Sequence, residues 1–269
     1  MIRTLTAALL LAAALPAQAA DWRALDPENT LVIETSKGVV VVEMRPDFAP
    51  KAVERVKLLA REGVYDGLQF HRVIENFVDQ TGNPNNRDGG TSRHPNLPPE
   101  FTFRLKAQAP AKIVVRSTDS VAGFVGSAPF EAASDLEAQR DADLGRRAWG
   151  AYCPGVAGMG RQAAEDTANS EIFFMRAASR RLDRDYTVWG RAVSGLDVIR
   201  SVTVGEPPAQ PDVMRRVRVA ADLPPAERPR IEVMDEHGEA FAALVERVRH
   251  EKGADFSICD IEVPIRPAP

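Results

Sequence analysis

With 34 basic against 38 acidic side chains in 269 residues, the chain has a formal charge of -4 and no electrostatic case for nucleic-acid binding. Its apolar share of 44% and charged share of 27% are those of an ordinary globular protein. Two cysteines, Cys153 and Cys259, leave one possible disulfide, and sequence alone leaves open whether it forms.

The first element, residues 1–19, reads as a secretory signal peptide. It has a single charge at Arg3, an apolar stretch from Leu5 to Leu15, and the small-residue ending Ala17-Gln18-Ala19. Its apolar core is too short to cross a membrane, and no later uninterrupted run is long enough. The expected product is soluble after signal removal and located in a bacterial periplasm. Loss of Arg3 takes the formal charge to -5, with 33 basic against 38 acidic residues.

A β-hairpin is predicted next, Leu31–Thr35 and Val39–Met44 around the turn Ser36-Lys37-Gly38. Pro50 to Glu62 reads as a helix with Ala52, Val53, Val56, Leu59 and Ala60 on one stripe and Gly63 as its stop. There follows the run Phe70-His71-Arg72-Val73-Ile74. In strand alternation Leu68, Phe70, Arg72 and Ile74 share a face, which sets Arg72 among apolar side chains. A cation so placed needs a partner or a task.

Thr81 to Thr91 is a long Gly/Asn/Asp loop. Its oxygens are of a kind that binds calcium, but the spacing fails the EF-hand pattern, so it reads as a turn-forming loop. The four histidines, His71, His94, His237 and His250, are too scattered for a zinc site. No metal or cofactor is expected. Glu131 to Arg147, charged and alanine-rich, reads as an exposed helix. The glycines at 155, 158 and 160 lack the βαβ context of a phosphate loop, so no nucleotide is expected either. Met214 to Val219 is a predicted closing strand. Beyond Pro224, a strand at Ile231–Val233, a helix with Phe241, Leu244, Val245 and Val248 on one face, and a returning strand from Ile261 to Ile265 are expected.

Two ordered blocks carry a family resemblance. Phe70-His71-Arg72-Val73-Ile74 with Phe77 and Gln80, and Asn169-Ser170-Glu171-Ile172-Phe173-Phe174 with Leu182-Asp183 and Tyr186 to Val193, are similar to the core of the cyclophilin-type peptidyl-prolyl isomerases. The resemblance implies a mainly β fold, a closed eight-stranded antiparallel β-barrel with capping helices. The core would cover 20–223 with an insertion at about 106–153, and residues 224–269 would be a C-terminal extension packed on the barrel. It also implies a catalytic Arg72, substrate-binding His71, Phe77, Val78, Gln80, Phe173, Leu182 and Tyr186, and proline-containing peptides or unfolded exported proteins as partners. The chain departs from the common family pattern at Glu171, Arg181, Tyr186 and Gly160-Arg161, and the Glu171 carboxylate is expected to face Arg72. A catalytically weak peptide-binding module or chaperone is the alternative reading. A hydrolase is disfavoured, because no Gly-x-Ser-x-Gly elbow is present.

Overall fold

A computed structural model describes residues 21–141 and 145–268; the segment read as a signal peptide lies outside the described residues. Strand Trp22–Ala24 (β1) precedes the expected hairpin, Thr30–Thr35 (β2) and Val39–Met44 (β3). The Thr35 hydroxyl sets the turn, accepting from the amides of Lys37 and Gly38 at 3.0 and 3.1 Å. Gly38 has φ +146°, and a Cβ there would meet Val198 at 2.8 Å, so only glycine fits. Alternation then puts Leu31 and Ile33 with Val40, Val42 and Met44 in one core.

Helix Pro50–Arg61 (α1) buries the whole expected stripe. It lacks a side-chain cap of its own. The Glu100 carboxylate reaches in instead, accepting from the amides of Lys51 and Ala52 at 3.0 and 2.9 Å. An anion there satisfies two orphan amides and complements the positive helix end.

Arg72–Val73 (β4) and Val78–Thr81 (β5) follow, then Phe103–Leu105 (β6), Lys112–Arg116 (β7), Ser120–Val125 (β8) and Ala128–Ala133 (β9). After the short helix Asp135–Ala138 (α2) come Arg146–Gly150 (β10), Val156–Met159 (β11), Ile172–Met175 (β12) and Val188–Ser194 (β13). Helix Leu196–Ser201 (α3) leads to Met214–Val219 (β14), Ile231–Met234 (β15), helix Glu239–Lys252 (α4) and Ile265–Pro267 (β16).

Eight antiparallel strands make one sheet in the order β14-β2-β3-β13-β11-β12-β5-β4. The sheet curls as a half-barrel. The segments just before its end strands meet at an isolated bridge, Gln69 to Val213, where the Phe70 amide donates to the Asp212 carbonyl at 2.9 Å and the Met214 amide to the Leu68 carbonyl at 2.8 Å. A continuous ladder does not join them.

β4 corrects the expected alternation. Leu68 and Phe70 lie in the core, and so does Val73, so the facing resets at His71 and Arg72 points away from the apolar set. The strand is only two residues long, which is why a strict two-residue period fails to carry through it.

The stretch from 131 to 147 is not the exposed helix expected of it. Among its described residues only Asp135–Ala138 is α-helical, and its ends belong to β9 and β10 of a separate sheet ordered β6-β10-β9-β8-β7. Ala132 and Ala148 stand opposite each other and are fully buried, so strand pairing overrides the helical propensity of alanine.

The extension reaches this second sheet. Phe241 of α4 meets Phe124 of β8 edge-on at 5.4 Å, with Leu244 and Val245 buried alongside. The returning strand starts later than expected: Ile258–Asp260 is a 3₁₀ turn, and β16 pairs with β15. Cys153 and Cys259 are joined in a disulfide. A buried polar seam lies between these parts. Arg191 of β13 donates to the Ser127 carbonyl at 2.8 Å and to the Ile261 carbonyl at 3.5 Å. Burial pulls its pKa down to about 10, against the attraction of Glu262 and Glu43. Glu43 accepts from the Ser127 amide and hydroxyl at 2.9 and 2.6 Å and pairs with Arg23 at 2.8 Å.

Asp79 of β5 is fully buried beside Arg176, 2.8 Å away, and Arg176 also donates to the carbonyls of Ile199, Arg200 and Val202 around the end of α3. Desolvation pushes the Asp79 pKa up to about 7, and the arginine only partly counters it. A folded-state value above the unfolded one means that the native protein holds the proton more tightly. The stabilisation from that proton is full below about pH 4 and is lost as pH rises through about 7. Chemical denaturation of wild type and Asp79→Asn should therefore show the stability difference moving in favour of the variant from about pH 5 to about pH 8. A pH-independent difference would contradict this.

Candidate active site

The two sequence blocks converge because β5 and β12 are neighbours, with Gln80 opposite Phe173 and Arg72 of β4 opposite Gln80. They line a cleft of about 460 Å³ whose walls include Arg72, Phe77, Gln80, Phe173, Leu182 and Tyr186. Val78 and Phe173 are buried at its base. Two rings fix Phe173: Tyr152 stacks on it at 5.7 Å, and Tyr186 meets it edge-on at 5.9 Å. The result is an apolar recess of side-chain size with a polar rim, suited to a small ring and the amide next to it.

Arg72 stands at that rim, with its side chain 31% exposed. Its Nε donates to Glu206 at 2.7 Å and its Nη1 to the side-chain amide oxygen Oε1 of Gln80 at 2.9 Å. Its Nη2 has no hydrogen-bond acceptor among the described residues. The guanidinium is thus oriented while keeping a donor to spare.

Glu171 does not face Arg72 as expected. Gln80 stands between them, donating its amide to the Glu171 carboxylate through a short contact, and Asn83 donates to the same carboxylate. The reason lies in the pairing of β5 with β12, which puts Gln80 and Glu171 side by side and Arg72 one strand further out. Glu171 therefore acts on Arg72 by fixing which end of the Gln80 amide points at it. Removing that relay frees the arginine, and small misplacements of a reacting group are costly. Gln80→Ala is expected to lower kcat/KM on a proline peptide by about 10–100-fold with little change in thermal stability. An unchanged kcat/KM would rule the relay out.

His71 is buried and does not line this cleft; it bonds Asp88 at 3.0 Å and borders a smaller recess on the other side of Arg72. The histidines were expected to be scattered, yet His71, Asp88 and Glu171 bring one ligand atom each within 4.8 Å of one another. Those atoms already serve hydrogen bonds: Asp88 to His71, and Glu171 to Gln80 and Asn83. The loop asparagines are likewise engaged locally, Asn86 with the Gln69 amide at 2.8 Å and Asn85 with the Arg87 amide at 3.1 Å.

Sequence reasoning missed three contributors. Glu206 is 134 positions from Arg72 and belongs to no motif. Tyr152 follows the end of β10, and its position next to Cys153 was the one available hint. The third is the anchoring of the Arg180–Leu182 turn: Arg180 pairs with Glu131 of β9 and with Asp183, while Asp183 accepts from the Tyr152 amide at 3.0 Å. The second sheet thereby braces, through Glu131 of β9, the wall that carries Leu182.

Comparison with known proteins agrees with this geometry. The sequence model for cyclophilin-type peptidyl-prolyl cis-trans isomerases matches residues 30–219. A probable peptidyl-prolyl cis-trans isomerase of Brucella suis is 32% identical over 193 residues, covering 68% of this chain and 75% of the relative. Peptidyl-prolyl cis-trans isomerase B of Bacillus subtilis is 27% identical over 177 residues, covering 66% of this chain and 87% of its own. The crystal structure of a cyclophilin from Hirschia baltica superposes with a TM-score of 0.84 at 32% identity, covering 92% of this chain and 94% of the other. With the family model matching residues 30–219 and relatives at 32% identity, and with an arginine oriented at the rim of a cleft floored by Phe173, the chain belongs to the cyclophilin-type peptidyl-prolyl cis-trans isomerase family.

Proposed function

We propose that this chain catalyses rotation about X-Pro bonds in proteins exported to the periplasm, with Arg72 as the catalytic donor. The observation that carries the reading is the pairing of a recess based on Phe173 and Val78 with a guanidinium that is fixed by Gln80 and still has Nη2 unengaged. Rotation breaks no bond but opposes an amide barrier of about 18–20 kcal/mol. Uncatalysed, it takes tens to hundreds of seconds. A donor aimed at the prolyl nitrogen stabilises the lone pair that localises there as the amide twists, and it acts chiefly in the transition state. Arginine suits this task because it keeps its charge when partly desolvated.

The export reading draws support from the residue pattern of 1–19 and from the Cys153–Cys259 disulfide, since disulfides persist in oxidising compartments. We also infer that the curled sheet behaves as a closed barrel, held by the Gln69–Val213 bridge. The test is exchange spectroscopy on a short proline peptide with the mature chain, alongside fractionation of the cells that express it. Catalysed exchange above background and recovery in the periplasmic fraction are expected. Peptide binding without exchange would favour the binding-module reading, and recovery with the cytoplasm would overturn export.

A further inference from the structure

Six charged side chains line the cleft: Arg72, Arg161 and Arg181 against Asp88, Glu171 and Asp185. Five of them are already committed. Arg72 pairs with Glu206, Asp88 with His71, and Glu171 with the amides of Gln80 and Asn83. Arg161 bonds Asp185 at 2.6 Å and lies over the Tyr186 ring at 4.5 Å. Arg181 alone has no carboxylate partner among the described residues.

Arg181 is nevertheless held in place. Its guanidinium carbon lies 4.6 Å from the centre of the Phe77 ring, and its Nε donates to the Ser179 hydroxyl at 3.3 Å. Both Nη groups are without an acceptor among the described residues. The turn that carries it is anchored on either side, by the ion pairs of Arg180 to Glu131 and Asp183 and by the packing of Leu182 in the pocket wall. A stacked, anchored arginine loses little further freedom on binding a carboxylate, and its planar fork can take one with two bonds.

We propose that Arg181 selects substrates that carry a glutamate or aspartate next to the proline. The proposal rests on the reading of the cleft as a proline-peptide site. A proline seated over Phe173 puts the side chain of a flanking residue along the Phe77 and Leu182 rim, where Arg181 is the one uncompensated charge. An acidic side chain there neutralises it, and a basic one meets like charge.

The test uses peptides identical except for Glu, Gln or Lys at the residue before or after proline, with wild type, Arg181→Gln and Arg181→Lys. Catalysed exchange and peptide binding are both followed by NMR. At low salt, wild type is expected to favour Glu over Lys by about three- to tenfold at one of the two positions, and the ratio should shrink as salt screens the pair. Arg181→Gln should bring the ratio to about one, and Arg181→Lys should restore part of it. No preference in wild type, or a preference that survives in Arg181→Gln, overturns the proposal. Absence of catalysis with all peptides overturns the isomerase reading instead, and the binding titrations still decide whether the acidic preference runs through Arg181.

Discussion

Arg72→Ala is expected to lower kcat/KM for a proline peptide by about 100–1000-fold, the usual effect of removing one donor aimed at developing charge. The loss should fall mainly on kcat, because the bond to the prolyl nitrogen strengthens as the amide twists and contributes little to the planar ground state. Stability should hardly change. Arg72 is outside the apolar core, and its pair with Glu206 joins two partly exposed side chains, a type worth about 0–1 kcal/mol. Arg72→Lys keeps the charge but loses the fork that reaches Glu206, Gln80 and the cleft together, so an intermediate rate is expected. Exchange spectroscopy with circular dichroism melts on the same samples checks both halves. A rate for Arg72→Ala within twofold of wild type would remove Arg72 from the mechanism.

The second large effect is on stability. The Cys153–Cys259 bond closes a separation of 106 residues. Cross-links of that span restrict the unfolded chain by about 4–5 kcal/mol in the chain-entropy model, so replacing both cysteines by serine should cost roughly 3–5 kcal/mol. The denaturant midpoint of the double variant should fall accordingly, and reduced wild type should match it. The activity of the variant should also fail at a lower temperature, since Cys153 follows Tyr152, the ring that stacks on Phe173. Equal midpoints for oxidised wild type and the variant would mean that the cross-link adds nothing to stability.

What the chain disclosed in advance was local. The β2–β3 turn, the α1 stripe and the strand at Met214 are each specified within a dozen residues, and each is found. The pocket residues were named through the family blocks, and the strand pairing of β5 with β12 brings Phe77, Val78, Gln80, Phe173, Leu182 and Tyr186 to one cleft. What failed was decided at longer range. Arg72 turns outward because β4 is too short to carry an alternation, and the alanines at 132 and 148 lie in strand because each stands opposite the other on neighbouring strands β9 and β10. Glu171 bears on Gln80 rather than on Arg72, a difference of one strand in a sheet whose order no local pattern reveals. Glu206 and Tyr152 reach the site from segments that carry no motif of their own.

Arg191 restricts how this architecture can change over evolutionary time. Its guanidinium is buried in β13, and its acceptors are the Ser127 carbonyl in the turn between β8 and β9 and the Ile261 carbonyl in the extension. A lineage that lost residues 224–269 would open this polar seam to water and leave Arg191 its Ser127 acceptor and the attraction of Glu43. A neutral residue at 191 beneath the intact extension would instead leave the Ser127 and Ile261 carbonyls buried without that donor. The order of loss is therefore constrained: Arg191 is free to vary only once the extension no longer seals the seam.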